Sequence, residues 1–186
     1  MACDLEQIQL LLIEDNPNMR SLVKAMLVAL GVKLVRDVSN GQQAIDTVEN
    51  FTPDLIITDW MTAPFDGLQF SKFVRFDDDS PYIFTPIILM SGHTEQWRVN
   101  MARDAGVNEF LAKPISAKTL YDRLLAVIEK PRPFVRTKSY FGPCRRRVNS
   151  RDYDGPERRF NAGKADPASE IDVPNEAGLD ELPNNL

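Results

Sequence analysis

Short apolar runs in this chain end, again and again, in groups that handle charge. Residues 8–13 run into Glu14 and Asp15, Leu55-Ile56-Ile57-Thr58 into Asp59, residues 86–90 into Ser91, and residues 107–111 lead to Lys113. Taken singly, an acid after a strand is usually a turn former or helix cap, a serine usually a cap, and Lys-Pro usually a loop. Four runs that deliver complementary chemistry to the same kind of position ask for more. Three crowded carboxylates repel unless a cation sits between them, and a hard-oxygen site with few ligands suits magnesium. With the Lys113 ammonium and the Ser91 hydroxyl added, the set has what an in-line phosphoryl transfer onto a carboxylate requires.

The elements that would position these groups are legible in the hydrophobic pattern. Each run reads as a strand buried on both faces, with its polar group where the strand leaves the sheet. Ligands of open α/β sheets bind outside those carboxyl ends. Between the runs lie helical patterns. Asn16 caps and Pro17 opens a helix through Met19, Leu22, Val23, Met26, Leu27 and Leu30, which Gly31 stops. Residues 33–38 make a strand, and further helices are expected over 40–51, from 66 through Val74, through Trp97 to Ala105, and after the Ser116 cap. The acidic cluster 77–79 with Ser80-Pro81 marks a turn. Five strands alternating with five helices predict an α/β fold, a flavodoxin-like (βα)5 doubly wound parallel sheet.

Charge divides the chain into three. Residues 1–130 hold 12 Lys+Arg against 18 Asp+Glu, residues 131–164 hold 10 against 3, and residues 165–186 hold 0 against 6. Seven of 13 prolines follow Lys130 without a sustained apolar period, so 131–164 is expected to be disordered when free, and 165–186 to be an acidic disordered tail. The two cysteines, Cys3 and Cys144, have no metal-ligand spacing and fit a reducing cytoplasm. No apolar run is long enough for a membrane span.

On the strand-end residues and their order, the sequence resembles the receiver domain of two-component response regulators, the CheY-like superfamily, over about residues 7–130. The resemblance implies that Asp59 is the phosphoacceptor and that Glu14, Asp15, Asp59 and the backbone carbonyl of Met61 hold Mg2+. It implies that Ser91 binds the phosphoryl group, that Lys113 pairs with it, that the Lys113–Pro114 peptide is cis, and that Phe110 is an aromatic switch moving with Ser91. The acceptor loop departs from the family pattern: Thr62-Ala63 stand where Met-Pro is usual, and Pro64 comes one residue later. Phe110 has no hydroxyl where many relatives carry tyrosine. The single histidine, His93, reads as an exposed loop residue, so the chain is not expected to be a kinase; as a phosphoryl acceptor it is expected to be no enzyme beyond slow self-dephosphorylation. Its donor would be a sensor histidine kinase, a phosphotransfer protein or a small phosphodonor.

A short repeat stands in the basic segment, Gly142-Pro143-Cys144-Arg145-Arg146 and Gly155-Pro156-Glu157-Arg158-Arg159, with Arg147 extending the first copy. Arginine forks match guanine edges or phosphates, and aromatic rings stack on bases. Two such clusters fit a cyclic dinucleotide or, less selectively, single-stranded nucleic acid. Here the segment resembles the Cle-type subgroup of CheY-like proteins, whose arginine-rich tail binds cyclic di-GMP. That implies contacts from Arg145, Arg146, Arg147, Arg158 and Arg159, stacking by Tyr140 and Tyr153, and acceptance of a guanine edge by Asp152. With no DNA-binding domain expected, output would be contact with a partner protein. By resemblance this is the flagellar motor switch, reached in the cytoplasm or at the flagellated pole, with control of motility and surface attachment. The alternatives are a phosphorelay intermediate and a nucleic-acid-binding regulator acting through the basic tail.

Overall fold

A computed structural model describes residues 5–76, 80–137 and 140–145. Ten elements alternate as expected: β1 (Gln9–Ile13), α1 (Pro17–Ala29), β2 (Leu34–Val38), α2 (Gly41–Val48), β3 (Leu55–Asp59), α3 (Gly67–Phe76), β4 (Ile87–Ser91), α4 (Gln96–Asp104), β5 (Glu109–Ala112) and α5 (Ala117–Ile128). The five strands form one parallel sheet in the order β2-β1-β3-β4-β5. The (βα)5 expectation is met.

Alternation along the buried strands sorts their side chains into two apolar layers. Leu10, Leu12, Leu55, Ile57, Ile88 and Met90 pack with Val23 and Leu27 of α1 and with Leu120 and Leu124 of α5. Leu11, Ile13, Ile56, Ile87 and Leu89 face Ala44 of α2, Phe70 and Val74 of α3, and Ala102 of α4. Both faces of the sheet are therefore covered, which is why β3 and β4 are apolar almost throughout and buried along their full length.

The helix starts follow the polar residues before them. Asn16 accepts from the amides of Asn18 and Met19 with Pro17 at the first turn, Asn40 accepts from Gln43, and Ser116 forms a reciprocal cap with Thr119. α4 differs. Glu95 stands at its cap position without a side-chain hydrogen bond to the helix.

Order does not end at Lys130. The expectation of an unfolded segment from residue 131 onward does not hold for 131–137 and 140–145, which form an antiparallel hairpin of β6 (Phe134–Arg136) and β7 (Phe141–Pro143). The rest of the expected basic tail and the acidic segment lie outside the described residues. Strands of three residues carry no readable period, so the cause of this order is tertiary. Phe134 and Phe141 meet Phe84 edge-on, with ring centroids 5.4 and 5.7 Å away. Gly106 sits at φ 79°, and a Cβ there would lie 2.8 Å from the Phe141 carbonyl oxygen; one on Gly142 would lie 2.7 Å from the Gly106 Cα. The hairpin and the turn between α4 and β5 thus touch backbone to backbone, and only glycines allow that approach.

Beneath the hairpin lies Arg75, 1% exposed. Its guanidinium donates to the carbonyls of Ile83 (2.8 Å), Thr85 (2.7 Å) and Gly106 (3.0 Å) and to Asn108 Oδ1 (3.0 Å), and Phe134 covers it at 5.0 Å. Asn108 Oδ1 also accepts from the Ile87 amide. These partners lead into β4 and β5, so the hairpin caps the amino ends of those strands.

Candidate functional site

In the observed order β1 and β3 are neighbours, and the chain runs outward from them in both directions. A crevice opens at such a reversal, beyond the carboxyl ends of the two strands. The residues standing there are Glu14 and Asp15 after β1 and Asp59 at the end of β3. β4 ends in Ser91, and Lys113 follows β5 by one residue.

The carboxylates of Glu14, Asp15 and Asp59 each offer an oxygen within 4.8 Å of the others. The Lys113 ammonium lies 2.8 Å from Glu14 Oε2 and 2.9 Å from Asp59 Oδ1, bridging the two buried acids. Glu14 is 1% exposed and Asp59 5%, whereas Asp15 is open to solvent. Burial pushes the Glu14 carboxyl up and the Asp59 charge adds to this, while the hydrogen bond from Lys113 pulls the other way. For Lys113, burial alone would lower the ammonium; the bonds to Glu14 and Asp59 outweigh it and hold it above its ordinary value. The result is a compact, mostly buried acidic cluster with one fixed counter-charge. Its donors are all hard oxygens, with one face toward water, and they fit a small divalent cation.

The neighbours of the cluster are fixed by backbone bonds. Lys113 N–H donates to the Ser91 carbonyl (2.8 Å), and Ser91 Oγ accepts from the His93 amide (3.0 Å). The Lys113–Pro114 peptide is cis, as expected. In the loop after the acceptor, Ala63–Pro64 is also cis, and the Thr62 hydroxyl donates to the Phe65 carbonyl (2.9 Å), which also accepts from the Gly41 amide. Thr62, noted in the sequence only as a departure, is therefore the residue that closes this loop. Gly67 carried no signal either: a Cβ there would lie 2.0 Å from the Asp59 carbonyl oxygen, so α3 starts directly against the acceptor position.

The remaining candidates separate. Met61 has an exposed side chain, and Phe110 is half-buried against the layer shared with α3 and α4. His93 is exposed, as read from sequence. In the tail, Tyr140 is 7% exposed, donates its hydroxyl to the Pro143 carbonyl, and has the Arg145 guanidinium over its ring at 4.4 Å. It packs the hairpin in this arrangement, and the face expected to meet a base is taken by Arg145. Arg145 also reaches Asp104 at 2.8 Å. Arg146, Arg147, Asp152, Tyr153, Arg158 and Arg159 lie outside the described residues.

Residues 10–125 match the family described as response regulator receiver domain. The chain belongs to that family. Receivers similar to it include chemotaxis protein CheY-3 of Vibrio cholerae, 26% identical over 125 residues that make up 67% of this chain and 95% of the relative. Another is chemotaxis protein CheY1 of Helicobacter pylori, 31% identical over 121 residues, 64% of this chain and 96% of the relative. Among solved structures, Vibrio cholerae CheY4 superposes with a TM-score of 0.61 at 27% identity, covering 65% of this chain and 98% of the other. The receiver domain of the sensor histidine kinase PA1611 from Pseudomonas aeruginosa, with a magnesium ion coordinated in its active site cleft, gives 0.59 at 30% identity over 66% and 98%. The hairpin of this receiver lies beyond the matched residues. No helix among its described residues is long and apolar enough to cross a membrane.

Proposed function

We propose that this receiver accepts a phosphoryl group on Asp59 and signals by binding a partner protein. The observation that carries the reading is the convergence of Glu14, Asp15, Asp59 and Lys113 at one strand edge. An Asp59 carboxylate oxygen attacks the phosphorus of a phosphohistidine or acyl phosphate in line. A P–O bond to Asp59 forms as the bond from phosphorus to the leaving group breaks, and that group departs with its electron pair. Glu14, Asp15 and Asp59, with the Met61 carbonyl, would hold Mg2+, whose charge offsets that of the phosphoryl oxygens. The Lys113 ammonium pairs with one phosphoryl oxygen and the Ser91 hydroxyl donates to another. Drawing Ser91 inward breaks its bond with the His93 amide and opens space for Phe110. The role is that of a phosphoryl acceptor, with at most slow self-dephosphorylation, and not of a kinase.

Two finer readings rest on less. The repeated arginine clusters support cyclic di-GMP as the tail's ligand, and the chemotaxis relatives support a motility partner such as the flagellar motor switch. Nothing favours the phosphorelay alternative over these.

The test is incubation of the full chain with acetyl phosphate and Mg2+, read by intact mass. Wild type should gain one phosphoryl group, with Asp59→Asn and a magnesium-free sample remaining unmodified. Equal labelling of Asp59→Asn would place the acceptor elsewhere.

A further inference from the structure

Two consecutive acids at one cation ask something of the backbone that strand geometry does not supply. Successive side chains of a strand point to opposite faces. Leu10 and Leu12 enter one apolar layer and Leu11 and Ile13 the other, so a strand continued past Ile13 would send Glu14 to the first face and Asp15 to the second. Yet each offers an oxygen within 4.8 Å of the other and of Asp59. The chain must therefore turn at the Glu14–Asp15 peptide, and whatever holds that peptide sets the spacing of the two acids.

The hydrogen bonds show what holds it. β1 ends at Ile13, and the Glu14 amide still follows the strand, donating to the Val38 carbonyl (3.1 Å). The Glu14 carbonyl turns toward α1 and accepts from Arg20 Nη1 at 2.8 Å. Arg20 stands in the first turn of α1, and Nε of the same guanidinium lies 3.3 Å from Asp37 Oδ2 on β2. Asp37 sits opposite Leu12 in the ladder and also pairs with Lys24, one helical turn beyond Arg20. The Arg20 and Asp37 side chains are 24% and 28% exposed, which limits competition from water. One planar fork thus ties the Glu14–Asp15 peptide to a strand whose register with β1 is already fixed. The Glu14 side chain is held separately: Oε1 accepts from the Asn16 amide (3.3 Å) and Oε2 from Lys113.

We propose that Arg20 is a positioning residue for the divalent-cation site: by holding the Glu14 carbonyl against β2 through Asp37, it fixes the turn that brings Glu14 and Asp15 to one ion. The inference rests on these two acids and Asp59 holding Mg2+. Arg20 acts through the backbone and is no ligand itself. By charge alone a cation at this place would repel a second cation, so its geometric and its Coulombic effects on Mg2+ have opposite signs. Removing the guanidinium weakens Mg2+ binding if it sets the turn, and strengthens it if only its charge is felt. A lysine would keep the charge, but its point ammonium does not span carbonyl and carboxylate as a fork does.

The test titrates the full chain with MgCl2, without a phosphodonor, and follows the backbone amide signals of Asp15 and Met61 by NMR. Wild type should show saturable shifts. Arg20→Gln and Arg20→Lys should each raise the Kd about tenfold, the lower end of the range for outer partners of metal ligands. In metal-free Arg20→Gln the carbonyl-carbon signal of Glu14 should move, which marks the lost hydrogen bond. Asp37→Asn leaves Arg20 in place and removes its anchor; it should raise the Kd about twofold to fivefold, and should add nothing in the Arg20→Gln background, because it acts through the fork. Equal or tighter Mg2+ binding in Arg20→Gln overturns the proposal in favour of a plain charge effect. Wild-type affinity in Arg20→Lys, or an unmoved Glu14 carbonyl in Arg20→Gln, overturns the fork. Absence of saturable shifts in wild type would instead sink the magnesium reading beneath it.

Discussion

The residue most out of place on ordinary rules is Arg75, a cation buried among carbonyls instead of carboxylates. Burial pulls its guanidinium down to about 9, which leaves it charged at neutral pH. Its four principal acceptors come from Ile83, Thr85, Gly106 and Asn108, segments that lead into β4 and β5. No other side chain in that space could satisfy them together. Arg75→Ala should therefore destabilise the protein by about 3–5 kcal/mol, because buried acceptors are left without donors. Arg75→Lys should recover only part, having one donor group where a fork is needed. Urea unfolding measures both, and a loss below about 1 kcal/mol in Arg75→Ala would mean that the site simply collapses onto water. The sequence hid this residue. An arginine on a helix of mixed polarity reads as a solvated face, and what buries it comes from elsewhere in the chain, the segments 83–85 and 106–108 and the hairpin's Phe134. Asp59 and Lys113 were legible for the opposite reason: with Glu14, Asp15 and Ser91 they stand at the ends of four apolar strands, and complementary groups repeated at that position are harder to explain as caps and turns than any one of them alone.

Among elements, the five strands and five helices declared themselves through periodicity and caps, while β6 and β7 did not, since each is three residues long and stabilised by partners distant in sequence. Tyr140 connects that hairpin to pH. Burial raises its hydroxyl above the ordinary value of 10.0, with Arg145, Arg132 and Arg75 each acting to lower it. A folded-state value above the unfolded one means that the unfolded chain gives up this proton first as pH rises. The contribution of the docked Tyr140 is therefore fully present below pH 10.0 and is lost as pH climbs through the raised value. The thermal midpoint of wild type should fall more steeply above pH 10.0 than that of Tyr140→Phe, which cannot ionise there. Arg75 is present in both proteins, so only the part of its titration that is coupled to Tyr140 enters the difference. Parallel curves would show that the Tyr140 hydroxyl is free of the hairpin in solution.

At the scale of the molecule, the acceptor cluster and the hairpin occupy opposite ends of the sheet: Asp59 and Ser91 close the carboxyl ends of β3 and β4, whereas the hairpin meets the segments before β4 and β5. The first arginine of the basic repeat, Arg145, is thereby held away from the phosphoryl site, and a tail ligand can influence the acceptor only through the elements between them. Such a ligand meets an Arg145 that already has two partners, Tyr140 and Asp104. Both can be replaced by an anionic, base-bearing molecule, since a guanidinium exchanges a carboxylate for a phosphate and one ring for another. Calorimetry of cyclic di-GMP against the full chain should therefore show a favourable enthalpy opposed by an ordering entropy, as in folding on binding. Arg145→Ala and Arg158→Ala should each weaken it about tenfold or more, one good charge-assisted contact being worth about 1.5–3 kcal/mol. Lys118→Ala, which removes an exposed charge paired only within α5 to Asp122, should leave it unchanged. Deleting residues 165–186 should tighten binding if their six acidic side chains compete for the same arginines. If wild type takes up single-stranded oligonucleotides as readily as cyclic di-GMP, with affinity falling steeply with salt, the arginines serve a nucleic-acid backbone and the cyclic dinucleotide reading fails.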